Sequence, residues 1–365
     1  MASTENGEDR RYPVAEVTRF ATDVFVAVGM SREHAGWLAD NLIDADLHGV
    51  NTHGVVRIPG YISQFTRGDI DPKASVVLSE KSVASALVDG GGTFGAIAGT
   101  QAMEWGIEAA ARTGIAMVGA KNVAHFGAAG YFARLAAAHG MIGIAMTNTP
   151  PAVATTGGID GRLGNNPLAI AAPGPDNFSL DVAMSVVSRG RVKLTADAGL
   201  PIPEGWAIDS DGHPTTDGAA ALDGSLLPFG GYKGAGLALA VEILAAALTG
   251  AQLTQQAKPS GLTATANQGG GTAGGGSVTI GHLFLVIDPR IFRPLEDVEQ
   301  DIHQIVDYVK DSRTLPGEKV IIAGQREAEL VAERESSGIP LSAAVVASLD
   351  DVAATLGVAA VKPGA

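Results

Sequence analysis

The chain has 365 residues, 46% of them hydrophobic and 18% charged, with 48 glycines, no cysteine and a formal net charge of -14. A chain of this length and apolar content can bury a large core and has room for two domains. The missing thiols exclude disulfides, thiolate zinc sites and cysteine nucleophiles, and the acidic balance opposes nucleic acid, whose phosphates require a basic surface.

Residues 1–12 are polar at first, carry Glu5, Glu8, Asp9, Arg10 and Arg11, and lack the apolar stretch of a secretory signal. They are expected to be disordered, and the protein is expected to be cytoplasmic. Val14, Val17, Phe20, Val24 and Phe25 recur at helical spacing, and Ser31 is placed to cap a second helix through Trp37 and Leu42. Apolar runs at 76–78 and 83–88 flank a polar turn and predict paired strands. A glycine-rich stretch from Asp89 to Ala96 then opens a helix containing Met103, Ile107 and Ala110.

Ile115 to Gly119, Ala128 to His139 and Ile142 to Thr147 read as strand, helix and strand, a parallel βαβ unit. Strands follow near Leu168–Ala171 and Phe178–Val182, and a long apolar helix is expected from Gly236 to Thr249. Its greasiest part, Leu237 to Leu248, is interrupted by Glu242 and falls well short of the ~20 residues that cross a bilayer, so no membrane span is expected. Ser260 to Gly276 reads as a linker or a loop that orders over a ligand, Gly281 to Asp288 as a strand, and the chain after Pro294 as helices to about Leu356.

An α/β chain invites a search for Gly-x-Gly-x-x-Gly, which brings a pyrophosphate to a helix N-terminus. The nearest match after the strand at Ile115 has His125 in place of the first glycine, and the second strand ends in Thr147-Asn148-Thr149 rather than an acid. A second cluster, Gly230 to Gly236, opens a helix, but Pro228 argues against a central strand before it. Neither of these two clusters carries the full fingerprint.

Four blocks occur in order: Leu47 to Pro59, Asn122 to Gly130, Leu163-Gly-Asn-Asn-Pro167 and Gly230-Gly-Tyr-Lys-Gly-Ala-Gly236. From about Val14 to Leu356 the chain resembles the second, non-Rossmann type of the malate/L-lactate dehydrogenase family. The resemblance implies an α/β fold with a central mixed sheet and helices, a helical domain built from both chain ends, and a homodimer. On that pattern residues 13–75 with 290–356 form the helical domain, and residues 76–289 the nucleotide-binding domain. It also implies hydride exchange between NAD or NADP and the C2 of a small 2-hydroxy or 2-oxo acid, with cyclic imino acid reduction or a catalytically silent nucleotide-binding homologue as alternatives. Thr52, Asn165 and Met184 stand where the family usually or often has serine, threonine and threonine, which bears on substrate identity.

Such a reaction needs a base for the hydroxyl proton and a cation for the carboxylate. His53 and Arg57 suit these tasks, an imidazole that titrates near neutrality and a planar fork that matches a carboxylate, with Thr52 beside them. The resemblance assigns the proton to His53 or His125. Asp44, Asp46, His48 and His53 also include groups that zinc accepts. Asp44 and Asp46 fall near a helix end where solvated acids are ordinary, and no metal is expected.

For the cofactor, the resemblance points to Asn177–Ala183 around Asp181, Val182 and Ala183, to Tyr232 and Lys233, and to Gly317, Glu318 and Lys319. Lys233, among glycines at a helix start, is the best phosphate contact on physical grounds, weighed against a solvated lysine. Asn148, for the substrate, and Thr149, for the cofactor, end a strand and could line the site, although such residues often only satisfy turn backbone. His282 fits a core histidine slightly better than a site residue.

Overall fold

The computed structural model describes residues 10–176, 178–257 and 280–364. The Ser260–Gly276 stretch and Asn177 lie outside them. The chain divides into two compact units, one of Met1–Ser75, Gly174–Phe178 and Glu296–Ala365, the other of Val76–Pro173 and Ser179–Leu295.

The first unit is helical because its apolar residues repeat every three or four positions. Helix Val14–Ala27 buries Val17, Phe20, Ala21, Val24 and Phe25 on one stripe. Ser31 caps helix Arg32–Leu47, its hydroxyl accepting the His34 N–H at 3.1 Å. Two short 3-10 turns, Asn51–His53 and Val55–Arg57, lead into helix Ile58–Arg67. Helix Leu295–Lys310, all but its first residue, and helices Gln325–Ser337 and Ala343–Leu356 complete the unit from the other chain end. The N-terminal disorder expected through residue 12 is corrected at its last three positions. Arg10–Tyr12 pairs antiparallel with Ile339–Leu341, and the apolar body of Tyr12 is buried there.

The second unit is built on a seven-stranded sheet in the spatial order Val77–Ser82, Ser85–Asp89, Ile115–Val123, Ile280–Ile287, Ile142–Thr147, Leu168–Ala171, Ser179–Val182. Only Ser85–Asp89 and Ile115–Val123 pair in parallel; the other neighbours are antiparallel. The βαβ unit expected from residue 115 to 147 is therefore split. Ile280–Ile287 lies antiparallel between its two strands, and a run that includes Ile280, Leu283, Phe284, Leu285 and Val286 is suited to the middle of a sheet covered on both faces. Helices Gly95–Thr113 and Ala129–Ala137 cover one face around Phe126, Phe132 and Phe284.

A small four-stranded sheet (Ala207–Ile208, Ser225–Leu226, Val153–Ala154, Gly161–Leu163) was not foreseen, since two- and three-residue strands carry almost no periodicity. The apolar helix begins at Tyr232, runs to Glu242 and continues as a π-helical turn over Ile243–Ala247.

Candidate active site

In the first unit the two short turns bring Thr52, His53 and Arg57 together. The Thr52 hydroxyl lies 3.1 Å from His53 Nδ1, and Arg57 Nε donates to the Thr52 carbonyl. Desolvation first, and the nearby Arg57 charge second, push the His53 imidazole down to about 4, so it is neutral at ordinary pH. Burial likewise pushes the Tyr61 phenol up to about 12, with Arg57 opposing.

Asp46 is not the solvated helix-end acid that its position suggested. It is 3% exposed, and one carboxylate oxygen accepts the Val55 N–H at 2.8 Å. Burial pushes it up to about 7 against that hydrogen bond and the Arg334 charge. His48 Nδ1 bonds the Asp44 carbonyl at 2.8 Å. Among the described residues, no three His, Asp or Glu side chains gather as a metal site would require.

In the second unit His125 opens a loop in which its own Nδ1 accepts the Gly127 N–H at 3.2 Å. The same loop leads into helix Ala129–Ala137, where an oxygen of Asp181 accepts the Gly130 N–H at 2.7 Å. The helix N-terminus that a dinucleotide would use in a Rossmann fold thus already faces a carboxylate of this chain. Asp181, expected at the cofactor, commits that oxygen to the helix. Val182 pairs with Leu168 as the last residue of its strand, and Ala183 follows it.

The other glycine cluster stays open. Gly230 and Gly231 take φ of 58° and 64°, which L side chains rarely adopt, and Gly231 stands at the N-cap of the helix that Tyr232 begins. A side-chain carbon built on Gly231 would meet nothing within 4 Å, and Tyr232 and Lys233 are exposed. The Gly234 N–H is already given to the Phe229 carbonyl at 3.1 Å, so an anion can approach Lys233 and the first N–H groups ahead of Gly234.

The Asn148 side chain, expected at the substrate, is engaged inside the protein. It is fully buried, its amide nitrogen donates to the Gln252 carbonyl at 2.9 Å, and its oxygen accepts the Gly281 N–H at 2.8 Å. Thr149 is held by the Leu163–Pro167 block: its hydroxyl donates to Asn165 Oδ1 at 2.8 Å, and its N–H donates to Asn166 Oδ1 at 3.0 Å. Asn166 itself, fully buried at φ 31°, donates to the Ala238 carbonyl at 2.8 Å and so ties this block to the helix that begins at Tyr232. In the sequence, the Asn165-Asn166 pair after Gly164 is a signal for side-chain bonding to backbone, but nothing local in it gives Asn166 this task.

His282 is a core residue, fully buried and stacked on Phe126 at 4.4 Å with Nδ1 2.7 Å from the Thr147 hydroxyl. Gly317, Glu318 and Lys319 form an exposed turn of the first unit, with Gly317 at φ 85° and the Glu318 N–H on the Leu315 carbonyl.

This fold, a helical unit drawn from both chain ends and a mixed sheet with one central antiparallel intruder, is that of a group of dehydrogenases. Residues 12–350 match the family described as malate/L-lactate dehydrogenase. The chain is 40% identical to the L-sulfolactate dehydrogenase of Methanocaldococcus jannaschii over 307 residues, 84% of this chain and 86% of that protein. It is 38% identical to a malate dehydrogenase of Pyrococcus horikoshii over 358 residues, 95% of this chain and 96% of that one. The solved sulfolactate dehydrogenase of M. jannaschii superposes with a TM-score of 0.85 at 37% identity, covering 95% of this chain and 98% of that one. The chain belongs to the malate/L-lactate dehydrogenase family.

Proposed function

We propose that the protein is a NAD- or NADP-dependent 2-hydroxy acid dehydrogenase acting on malate, sulfolactate or a close analogue. The observation that carries this reading is the pairing of an imidazole, His53, with a guanidinium, Arg57, four residues apart on the consecutive turns Asn51–His53 and Val55–Arg57. Arg57 clamps the substrate carboxylate, a local cation in a chain of net charge -14. His53, with Nδ1 toward Thr52, takes the hydroxyl proton at Nε2 during oxidation and returns it during reduction. His125 is the alternative donor. The nicotinamide supplies or accepts the hydride when bound.

For the cofactor, the open glycine turn with Tyr232 and Lys233 fits a phosphate. Thr149, Asp181, Val182, Ala183 and the Gly317–Lys319 turn are proposed as further cofactor contacts. No acid or arginine of the described residues decides between the two nicotinamide cofactors.

A homodimer is part of the same proposal. Leu239, Ile243 and Leu248 are 51%, 54% and 56% exposed along the helix that begins at Tyr232, an apolar face of the kind that marks association. Among the described residues no helix is long and apolar enough to cross a membrane. Cytoplasmic residence is proposed from the cysteine-free composition, which suits a reducing compartment.

The experiment is NADH and NADPH oxidation with oxaloacetate, pyruvate, sulfopyruvate, diketogulonate and piperideine-2-carboxylate. Turnover of a 2-oxo acid supports the reading, and turnover of the cyclic imine alone replaces it with imine reduction. Tight cofactor binding without turnover of any of them leaves a silent homologue.

A further inference from the structure

Asp46 is a buried carboxylate that the proposed chemistry does not use. It projects from the end of helix Arg32–Leu47 beneath the two turns, and its Oδ2 receives the N–H of Val55 at 2.8 Å. The backbone reaches it only because residue 54 lacks a side chain: a carbon built on Gly54 would sit 1.9 Å from Asp46 Oδ1 and 2.1 Å from its Cγ. The φ of Gly54 is -84°, open to any residue, so space and not conformation demands glycine here.

A second buried charge grips the same segment from the other chain end. Arg334 of helix Gln325–Ser337 is 8% exposed, and its Nη1 donates to the Asp46 carbonyl and, at 3.0 Å, to Asn51 Oδ1. Asn51 starts the turn that ends at His53, and Val55 starts the turn that ends at Arg57. Each of the two side chains proposed to handle substrate thus sits two residues beyond an anchored position. Buried charges are weak devices for stability, since well-packed apolar residues often serve as well or better. Their use here is better explained by the geometry they fix.

We propose that Asp46 and Arg334 are positioning residues that brace the Asn51–Arg57 segment and hold His53 and Arg57 in register for substrate. The inference rests on the dehydrogenase reading for its catalytic part. Asp46→Ala removes the acceptor of the Val55 N–H, whereas Asp46→Asn keeps an oxygen in its place. Displacement of reacting groups by about 1 Å can cost on the order of 100-fold. The expected result is therefore a ~10- to 100-fold loss of kcat/KM on a 2-oxo acid in Asp46→Ala, with recovery to within about fivefold of wild type in Asp46→Asn.

Hydrogen exchange and NADH or NADPH fluorescence titration on the same full-length proteins provide the second readout. In Asp46→Ala, exchange should accelerate in peptides spanning residues 50–58 and nowhere else, with cofactor affinity unchanged. Native exchange in that segment would overturn the brace. So would acceleration throughout the chain with both variants equally inactive, because Asp46 would then be an ordinary core position. Absence of wild-type turnover on any 2-oxo acid would remove the dehydrogenase reading alone, and the exchange result would still decide whether the brace exists.

Discussion

The Nδ1 atom of His125 accepts the backbone N–H of Gly127 at 3.2 Å, so the ring hydrogen of neutral His125 resides on Nε2. His53 differs, since its Nδ1 faces a hydroxyl that can donate or accept. The first histidine is set to donate and the second can take a proton.

On that difference His125 offers a hydrogen bond from Nε2, whereas His53 is the one set to act as a base. His53→Ala is expected to lower turnover by ~100-fold or more, the scale of a lost general acid or base, with cofactor affinity nearly intact. Near-native turnover in steady-state kinetics would transfer the role to His125.

Arg57 is tested by Arg57→Lys, because lysine keeps the charge and loses the fork. The loss on a 2-oxo acid should be about 1.5 to 3 kcal/mol, the worth of a hydrogen bond to a charged group. A neutral amide or ester of the same acid should be nearly insensitive. Equal losses on both compounds would make Arg57 a structural residue.

Asn148→Ala should act on stability. It strands the buried Gly281 N–H, at a cost of about 1–3 kcal/mol for the unsatisfied group, whereas the carbonyl of exposed Gln252 can turn to water. Chemical denaturation should show the loss, and KM measured below the transition should stay near native. A raised KM in a protein of native stability would return Asn148 to the substrate.

The pH dependence of stability follows from groups pushed in opposite directions. Burial holds His282 down to about 3 and His53 down to about 4. Unfolded histidine takes up its proton near pH ~6.5, so between that value and the folded ones the unfolded chain binds more protons and acid destabilises the fold. Asp46, raised to about 7, acts oppositely, favouring the fold at low pH and losing that contribution as pH rises through 7. In thermal melts from pH 7 to 4, His282→Phe should therefore lose less stability than wild type, by up to ~1.4 kcal/mol per pH unit. An equal slope in both proteins would show that His282 titrates alike folded and unfolded.

The exposed helix face is tested by Leu239→Glu combined with Ile243→Glu. Light scattering should report a dimer for wild type and a monomer for the double variant, because two carboxylates would have to be desolvated at the contact. A wild-type monomer, or an unaffected dimer, would place association elsewhere or nowhere.

What could be read in advance was whatever lies close along the chain. The Ser31 cap, the stripe of Val17, Phe20 and Val24, the hairpin before residue 90 and the open turn at Gly230–Lys233 all depend on neighbours within a few positions. Asp46 looked like a solvated acid because its partner Arg334 is 288 residues away. The backbone groups at 252 and 281 that engage Asn148 are likewise hidden by distance along the chain, 104 and 133 residues away. The split of the βαβ unit was hidden for the same reason, since periodicity describes a strand and says nothing of which strand will lie beside it.

The intruding strand also governs the order in which the sheet can be completed. During synthesis Ile115–Val123 and Ile142–Thr147 emerge more than a hundred residues before Ile280–Ile287, yet each depends on it for a full row of backbone bonds. Until it arrives, both present unpaired apolar edges, the form of strand most prone to pair with another chain. Closing so long a loop is slow, because its entropy must be spent before the new contacts repay it. A nascent chain stalled before residue 280 would hold two half-sheets that cannot join, and the period between those two events is when this protein would most need a chaperone.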